Sequence, residues 1–169
     1  MNINYISTDI KSICLGDFLQ NPTQELIHSI AYDTRKIHQG KSTLFACLKS
    51  ENNNGHKFIG DAYEKGVRVF LIDEKISVGN YKEATFIKVP SVIEAIQRWA
   101  AHHRKLFNIP VIGITGSAGK TTVKEWLYHL LSDNFVVARS PKSFNSQLGV
   151  ALSIFEINEL TENLISAAG

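Results

Sequence analysis

The chain has 169 residues, 44% of them hydrophobic and 20% charged, which is enough apolar material for one large or two small packed domains. Eighteen Lys and Arg against sixteen Asp and Glu leave a formal charge of +2, without the basic block that a nucleic-acid or membrane partner requires. No apolar run approaches the roughly 18 residues that span a bilayer, and the N-terminal "MNINYISTDIKSI" lacks a basic segment followed by an apolar stretch, so no membrane span or export signal is expected.

In chain order, "ELIHSIAYDTR" ends in a β-type segment, "STLFACLK" is a second, "VRVFLID" a third and "ATFIKVP" a fourth. Between the second and third, "HKFIGDAYEKG" predicts a helix closed by Gly66, which makes the first half a small α/β unit. "KSENNNGHK" is polar and Asn-rich and suits an exposed loop. Cys14 and Cys47 sit among apolar neighbours without Cys-x-x-Cys or Cys/His ligand spacing, so buried free thiols in a reducing, cytoplasmic setting are expected.

After Pro90, Ser91 stands as an N-cap with Glu94 three residues on, and Val92, Ile93, Ile96, Trp99 and Ala100 form one apolar face of a helix of about four turns. Asn108 and Pro110 in "FNIP" stop it, which sets the expected border between Leu106 and Pro110 and the expected domains at 1–106 and 107–169. His102 and His103 diverge by roughly 100° around the helix axis. They make a poor metal pair, and solvent or the C-terminal helix dipole is their expected surrounding.

The second segment opens on the strand "VIGIT", passes a glycine-rich turn and enters a helix from Lys120 to about Leu131, with Val123, Trp126, Leu127 and Leu130 expected to face inward. "FVVARS" reads as a strand, "SQLGVALSIFEI" as a helix and "ENLISAAG" as a further strand, the rhythm of a parallel sheet with right-handed crossovers. The predicted fold class is therefore α/β: a small N-terminal α/β domain followed by the start of a P-loop-type parallel sheet. Its last strand is expected to keep an open edge.

The turn in "GITGSAGKTT" meets the demands of a bound triphosphate. Gly116, Ala118 and Gly119 let backbone N–H groups converge, and the helix from Gly119 onward adds the positive end of its dipole. Lys120 supplies a cation for the β- and γ-phosphates, and Thr121 a hydroxyl for Mg²⁺. Thr115, Ser117 and Thr122 add further hydroxyls. A tight strand-to-helix turn with a solvated lysine is the plainer alternative. The general pattern G-x-x-x-x-G-K-[ST] has glycine six residues before the lysine, where this chain has Ile114. Its glycines at Gly113, Gly116 and Gly119 argue against ordinary P-loop kinases and GTPases.

In these residues the chain resembles the Mur ligases, ATP-dependent enzymes that add amino acids to UDP-N-acetylmuramate. "DTRKIHQGKSTLFACLKSENNNGHKFIGDAYEKGVRVFLID" is similar to the N-terminal UDP-binding domain of the members that join D-alanyl-D-alanine to UDP-MurNAc-tripeptide. "SPKSFNSQLGVALSI" is similar to their stretch after the ATP loop, in the form fused to an alanine racemase. The resemblance implies ATP held by Thr115, Gly116, Ser117, Ala118, Gly119, Lys120, Thr121, Thr122 and Asn145, with Lys120 as the catalytic residue and Thr121 on Mg²⁺.

For the UDP-sugar the same resemblance implies Asp33, Thr34, Arg35, Thr43, Leu44 and Phe45. An arginine and hydroxyls at strand ends suit a diphosphate and a uracil edge, although any α/β domain exposes such groups. His56 falls where the family has a loop histidine, but histidine is also common at a helix start. Asn145 and Ser146 match the family's polar stretch near the acyl-phosphate site and equally suit an N-cap before "QLGVALSI". The implied chemistry is transfer of the γ-phosphoryl of ATP to the tripeptide carboxylate, followed by attack of the D-alanyl-D-alanine amine on the acyl phosphate. Ala167 stands where the family's strand carries a glutamate directed at Mg²⁺, and the remainder of the ATP domain and the acceptor domain are expected beyond Gly169. Two other readings are a UDP-sugar or nucleotide-binding module without catalysis, and a folylpolyglutamate-type ligase.

Overall fold

Runs that are buried at nearly every position, rather than at alternate ones, become the inner strands of a parallel sheet covered on both faces. The computed structural model describes residues 3–20, 22–50, 53–140 and 147–167. The chain divides into two compact units at Ala95.

In the first unit β1 (Tyr5–Ile6), α1 (Ser7–Cys14), β2 (Asp17–Phe18), β3 (Leu26–Ile27), β4 (Ser29–Ala31), β5 (Thr43–Ala46), β6 (Lys49–Ser50), β7 (Asn53–Asn54), α2 (Ile59–Glu64), β8 (Val69–Ile72) and β9 (Thr85–Lys88) follow one another. Single 3-10 turns form at Thr34–Lys36, Gly40–Ser42 and Gly55–Phe58, and the division falls inside α3 (Val92–Lys105). The sheet has the order β2-β9-β8-β5-β4 and is parallel except for the edge strand β2. Register places Phe45 beside Phe70 and Phe70 beside Phe86, with ring centroids 6.3 and 4.9 Å apart. Such aromatic pairs add about 0.5–1.5 kcal/mol each beyond the area they bury. Ile59 and Ala62 of α2 and Val67 complete this layer. Leu44, Leu71 and Ile87, which alternate with the phenylalanines, are fully buried as well. Both cysteines are free and buried, and the Cys14 thiol donates to the Ala95 carbonyl at 3.4 Å.

The described residues of "KSENNNGHK" are more ordered than a loop. Lys49 pairs with Asn54 and Ser50 with Asn53 in an antiparallel hairpin, because this polar run has partners: Lys49 Nζ reaches Glu74 at 2.9 Å, and the Asn54 amide donates to Glu74 at 3.1 Å.

The second unit contains β10 (Val111–Ile114), α4 (Lys120–Ser132), β11 (Val137–Arg139), α5 (Gln147–Ile154) and β12 (Asn163–Ala167). The three strands are parallel in the order β10-β12-β11. The crossover through α5 brings β12 back between the two earlier strands, so Asn163–Ala167 is the central strand of the three and not an open edge. α4 lies over β11 and β12, but rotated from the expected face. Lys124 is fully buried and Leu127 half-buried, whereas Val123 is exposed and Trp126 and Leu130 are 70% and 71% exposed. The hydrogen bond from Lys124 Nζ to the Ser140 carbonyl, 2.7 Å, fixes that rotation.

Ser91 caps α3 by accepting from the Glu94 amide at 3.4 Å. Farther along, Trp99 packs edge-on against Phe155 with centroids 4.9 Å apart, and His103 is buried instead of solvated. Its Nε2 lies 3.1 Å from the Ile157 carbonyl, and its ring contacts Phe107 and Phe155. This packing is why the compact units part within α3, ahead of the border expected at 106–110.

Candidate functional site

β10 ends at Ile114 and α4 begins at Lys120, so residues 115–119 carry the chain from a parallel-strand end to a helix start. Gly116 has φ +147° and Gly119, the N-cap, φ +76°, a region that glycine alone enters without a steric penalty. Among the described residues a Cβ on Gly119 would find nothing within 4 Å, so conformation and not crowding demands glycine there. Among the described residues no side chain caps the helix, and the Val123 amide closes its first turn on the Gly119 carbonyl at 2.9 Å. The first amides of a helix have no intrahelical acceptor, so water or a ligand can take them here, with the positive helix end behind them. Lys120 folds back over the loop and its ammonium donates to the Gly116 carbonyl. Thr115, Ser117, Ala118, Thr121 and Thr122 are exposed in the same place. Asn145 and Ser146 lie outside the described residues. By register Ala167 sits opposite Ile114, so β12 presents a methyl group beside the start of the loop.

A cavity of about 870 Å³ opens from Thr121 along α4 past Glu125 and Tyr128 to Arg139 of β11. Arg139 is ion-paired with Glu125, and its guanidinium carbon lies 3.7 Å from the Tyr128 ring centroid. Burial, followed by the charge of Arg139, pushes Lys124 below the usual lysine pKa. Glu125 at 3.5 Å and the Ser140 carbonyl compensate the buried ammonium and tie α4 to the end of β11. Sequence reasoning missed this network because amphipathic patterning assigns charged residues to solvent.

The first unit has a separate cavity of about 450 Å³, lined by Tyr32, Asp33, Thr34, Arg35, Asn53 and Phe58. Asp33 caps the 3-10 turn Thr34–Lys36, accepting from the Arg35 amide at 3.0 Å and from Arg35 Nη2 at 2.8 Å. The guanidinium bonds, then the amide, hold the Asp33 carboxyl well below its ordinary pKa, at about 2. The Arg35 side chain remains 87% exposed, and Lys65 Nζ fastens the turn by donating to the Thr34 carbonyl at 2.7 Å. Thr43, Leu44 and Phe45 are not brought to this cavity. They are buried in β5, where Thr43 Oγ1 donates to the Gln39 carbonyl at 2.6 Å and meets Ser29 Oγ at 2.8 Å. Tyr32, Asn53 and Phe58 escaped the sequence reading; a signal lay in Tyr32 preceding "DTR" and in Asn53 and Phe58 flanking His56.

Residues 26–104 match the Mur ligase family, catalytic domain, and residues 114–166 match the Mur ligase middle domain. The chain belongs to the Mur ligase family. It is 34% identical over 153 residues to the UDP-N-acetylmuramoyl-tripeptide--D-alanyl-D-alanine ligase of Bacillus subtilis, an alignment covering 89% of this chain and 33% of that protein. It is 38% identical over 112 residues to the UDP-N-acetylmuramoyl-L-alanyl-D-glutamate--2,6-diaminopimelate ligase of Clostridioides difficile, covering 64% of this chain and 22% of that protein. The fold is that of MurF from Acinetobacter baumannii, with a TM-score of 0.89 at 23% identity over 99% of this chain and 36% of that one. MurF ligase from Thermotoga maritima, solved in complex with ADP, aligns with a TM-score of 0.70 at 28% identity over 83% of this chain and 32% of that one. This Mur ligase chain therefore spans about a third of the length of the D-alanyl-D-alanine ligases it matches.

Proposed function

We propose that this chain is the substrate-binding and ATP-loop portion of a longer, cytoplasmic ligase that joins D-alanyl-D-alanine to UDP-MurNAc-tripeptide in peptidoglycan synthesis. The observation that carries the reading is the open loop 115–119 at the head of α4, with Lys120 folded across it. Exposed amides, a positive helix end and a lysine suit a triphosphate. In the proposed reaction a carboxylate oxygen of the tripeptide takes the γ-phosphoryl and ADP leaves; the D-alanyl-D-alanine amine then attacks the acyl carbon, and phosphate leaves as the amine loses a proton. Lys120 offsets phosphate charge through both steps, and the hydroxyls of Thr115, Ser117 and Thr122 orient the phosphates. Thr121 would hold Mg²⁺, which supplies charge neutralisation when bound; among the described residues no cluster of three His, Cys, Asp or Glu competes for it.

In the first unit Asp33, Thr34 and Arg35, with Tyr32, Asn53 and Phe58, would take the UDP-sugar end of the substrate, with Thr43, Leu44 and Phe45 supporting them from the sheet. Arg35 is oriented by Asp33 and exposed, so its remaining N–H groups can reach a pyrophosphate. UDP-MurNAc-tripeptide should raise the melting temperature of the chain, UDP alone should raise it less, and Arg35→Ala should shrink both shifts, because a ligand selective for the folded state stabilises it by mass action. No shift at about millimolar ligand would remove this assignment. A binding module without catalysis is a second reading, favoured by the methyl group of Ala167 beside the loop.

A further inference from the structure

His56 was open to a plain helix-start reading, and its surroundings point elsewhere. The side chain is only 5% exposed and lies among charged groups from three elements. Nδ1 is 2.8 Å from Asn54 Oδ1, an atom that also accepts from the His56 amide at 3.0 Å. Nε2 lies 3.3 Å from the backbone amides of both Asp73 and Glu74, just beyond β8. Two N–H donors aimed at one ring nitrogen require it to accept, so the ring is neutral with its proton on Nδ1, donated to Asn54. The Asn54 amide in turn donates to Glu74, and Lys49 of β6 bridges Asp73 at 3.2 Å and Glu74 at 2.9 Å. Gly55 presses against the same knot: a Cβ there would meet the Leu48 amide nitrogen at 2.7 Å.

This knot stands behind one wall of the 450 Å³ cavity. Asn53 of β7 and Phe58 of the turn Gly55–Phe58 line it, and both are within three residues of His56. We propose that His56 is a positioning residue for the UDP-sugar cavity: as a neutral, Nδ1-protonated ring it locks the β6–β7 hairpin and the following turn to the end of β8, and so sets Asn53 and Phe58 against Tyr32–Arg35. The inference rests on the UDP-sugar reading of that cavity. Protonating Nε2 would turn an N–H toward two N–H donors, and the ring would have to swing toward Asp73 Oδ1, 3.5 Å away, releasing the wall. The charged groups facing His56 are Asp73 and Glu74 after β8, Lys49 on β6 and Lys88 on β9. The two carboxylates favour the charged ring, but burial outweighs them, and the His56 pKa lies below its usual value. Acid therefore loosens the wall below the ordinary histidine range.

The test is calorimetric titration of the chain with UDP-N-acetylglucosamine, whose pyrophosphate diester keeps its charge between about pH 7.5 and 5. Wild type should bind at least about twofold more weakly at the acidic end. His56→Gln keeps an acceptor near the Nε2 position and carries no titratable ring. It should bind within about threefold of wild type at neutral pH and lose the acid step. His56→Ala, its melting curve checked first, should bind about tenfold more weakly at both ends. Equal affinity of wild type and His56→Ala, or an unchanged acid step in His56→Gln, would overturn the positioning role while leaving the cavity assignment intact. If His56→Ala does not fold, the comparison of wild type with His56→Gln decides alone. Absence of binding by wild type would instead remove the UDP-sugar reading and this inference with it.

Discussion

Replacing Gly119 by alanine tests the loop in a way that separates backbone conformation from packing. Gly119 has φ +76°, yet a Cβ at that position meets nothing within 4 Å. The whole effect must therefore come from holding an L-residue in the left-handed region, about 1–2 kcal/mol. In the free chain the exposed loop can relax and hide much of that cost, but a bound nucleotide needs the amides aligned, so the penalty appears in binding. It corresponds to roughly a 5- to 30-fold loss of Mg-ADP affinity. Gly113 is the matched control: it too has nothing within 4 Å of a Cβ, and its φ lies outside the left-handed region. Gly113→Ala should change affinity by less than about twofold. Titration calorimetry of both variants at one salt concentration gives the comparison. Equal losses in the two, or undiminished affinity in Gly119→Ala, would refute the claim that loop conformation organises the phosphate site.

Burial lowers the pKa of His56 and of His103, so at each site the unfolded chain takes up a proton at a higher pH than the folded one. Stability is then fully present above about 6.5, the unfolded value, and falls as pH drops from there toward the folded values. Urea midpoints should decrease between about pH 7.5 and 5, and a flat or rising trend would contradict the neutral, buried state of these rings. Ala167→Glu places a carboxylate opposite Ile114 at a nearly buried position. It should lower the melting temperature in the absence of Mg²⁺, recover it on adding the ion, and make ADP binding more Mg²⁺-dependent than in wild type. Identical Mg²⁺ dependence in the two proteins would show that the end of β12 does not face the metal.

The parallel strands were legible because a strand covered on both faces must be apolar throughout, as "TLFA" and "VFLI" are, and no helix of that length would be stable alone. The glycine-rich turn between β10 and α4 was legible for a different reason: an apolar strand, spaced glycines, a lysine and a helix leave few other structures. Where tertiary contacts decide, the sequence was silent. Leu127 was assigned the right side of α4, but Trp126 and Leu130 were not, because the hydrogen bond of Lys124 to Ser140 overrides the apolar count. His103 looks like a surface residue until Ile157 and Phe155, far along the chain, supply its partners. The central position of β12 depends on which way the α5 crossover returns, which local patterning does not encode. In the first-unit cavity "DTR" was readable, whereas Asn53 and Phe58 reach the cavity only through a hairpin held by Glu74.

If this chain carries a working nucleotide loop whose charge is set by Lys120, Mg-ADP titration into wild type and Lys120→Ala must show it. Lys120 lies at the exposed loop and packs into no core, so the variant should melt with the wild type. Wild type should bind saturably at a single site, and Lys120→Ala at least about tenfold more weakly. Equal affinity in two equally folded proteins would contradict it.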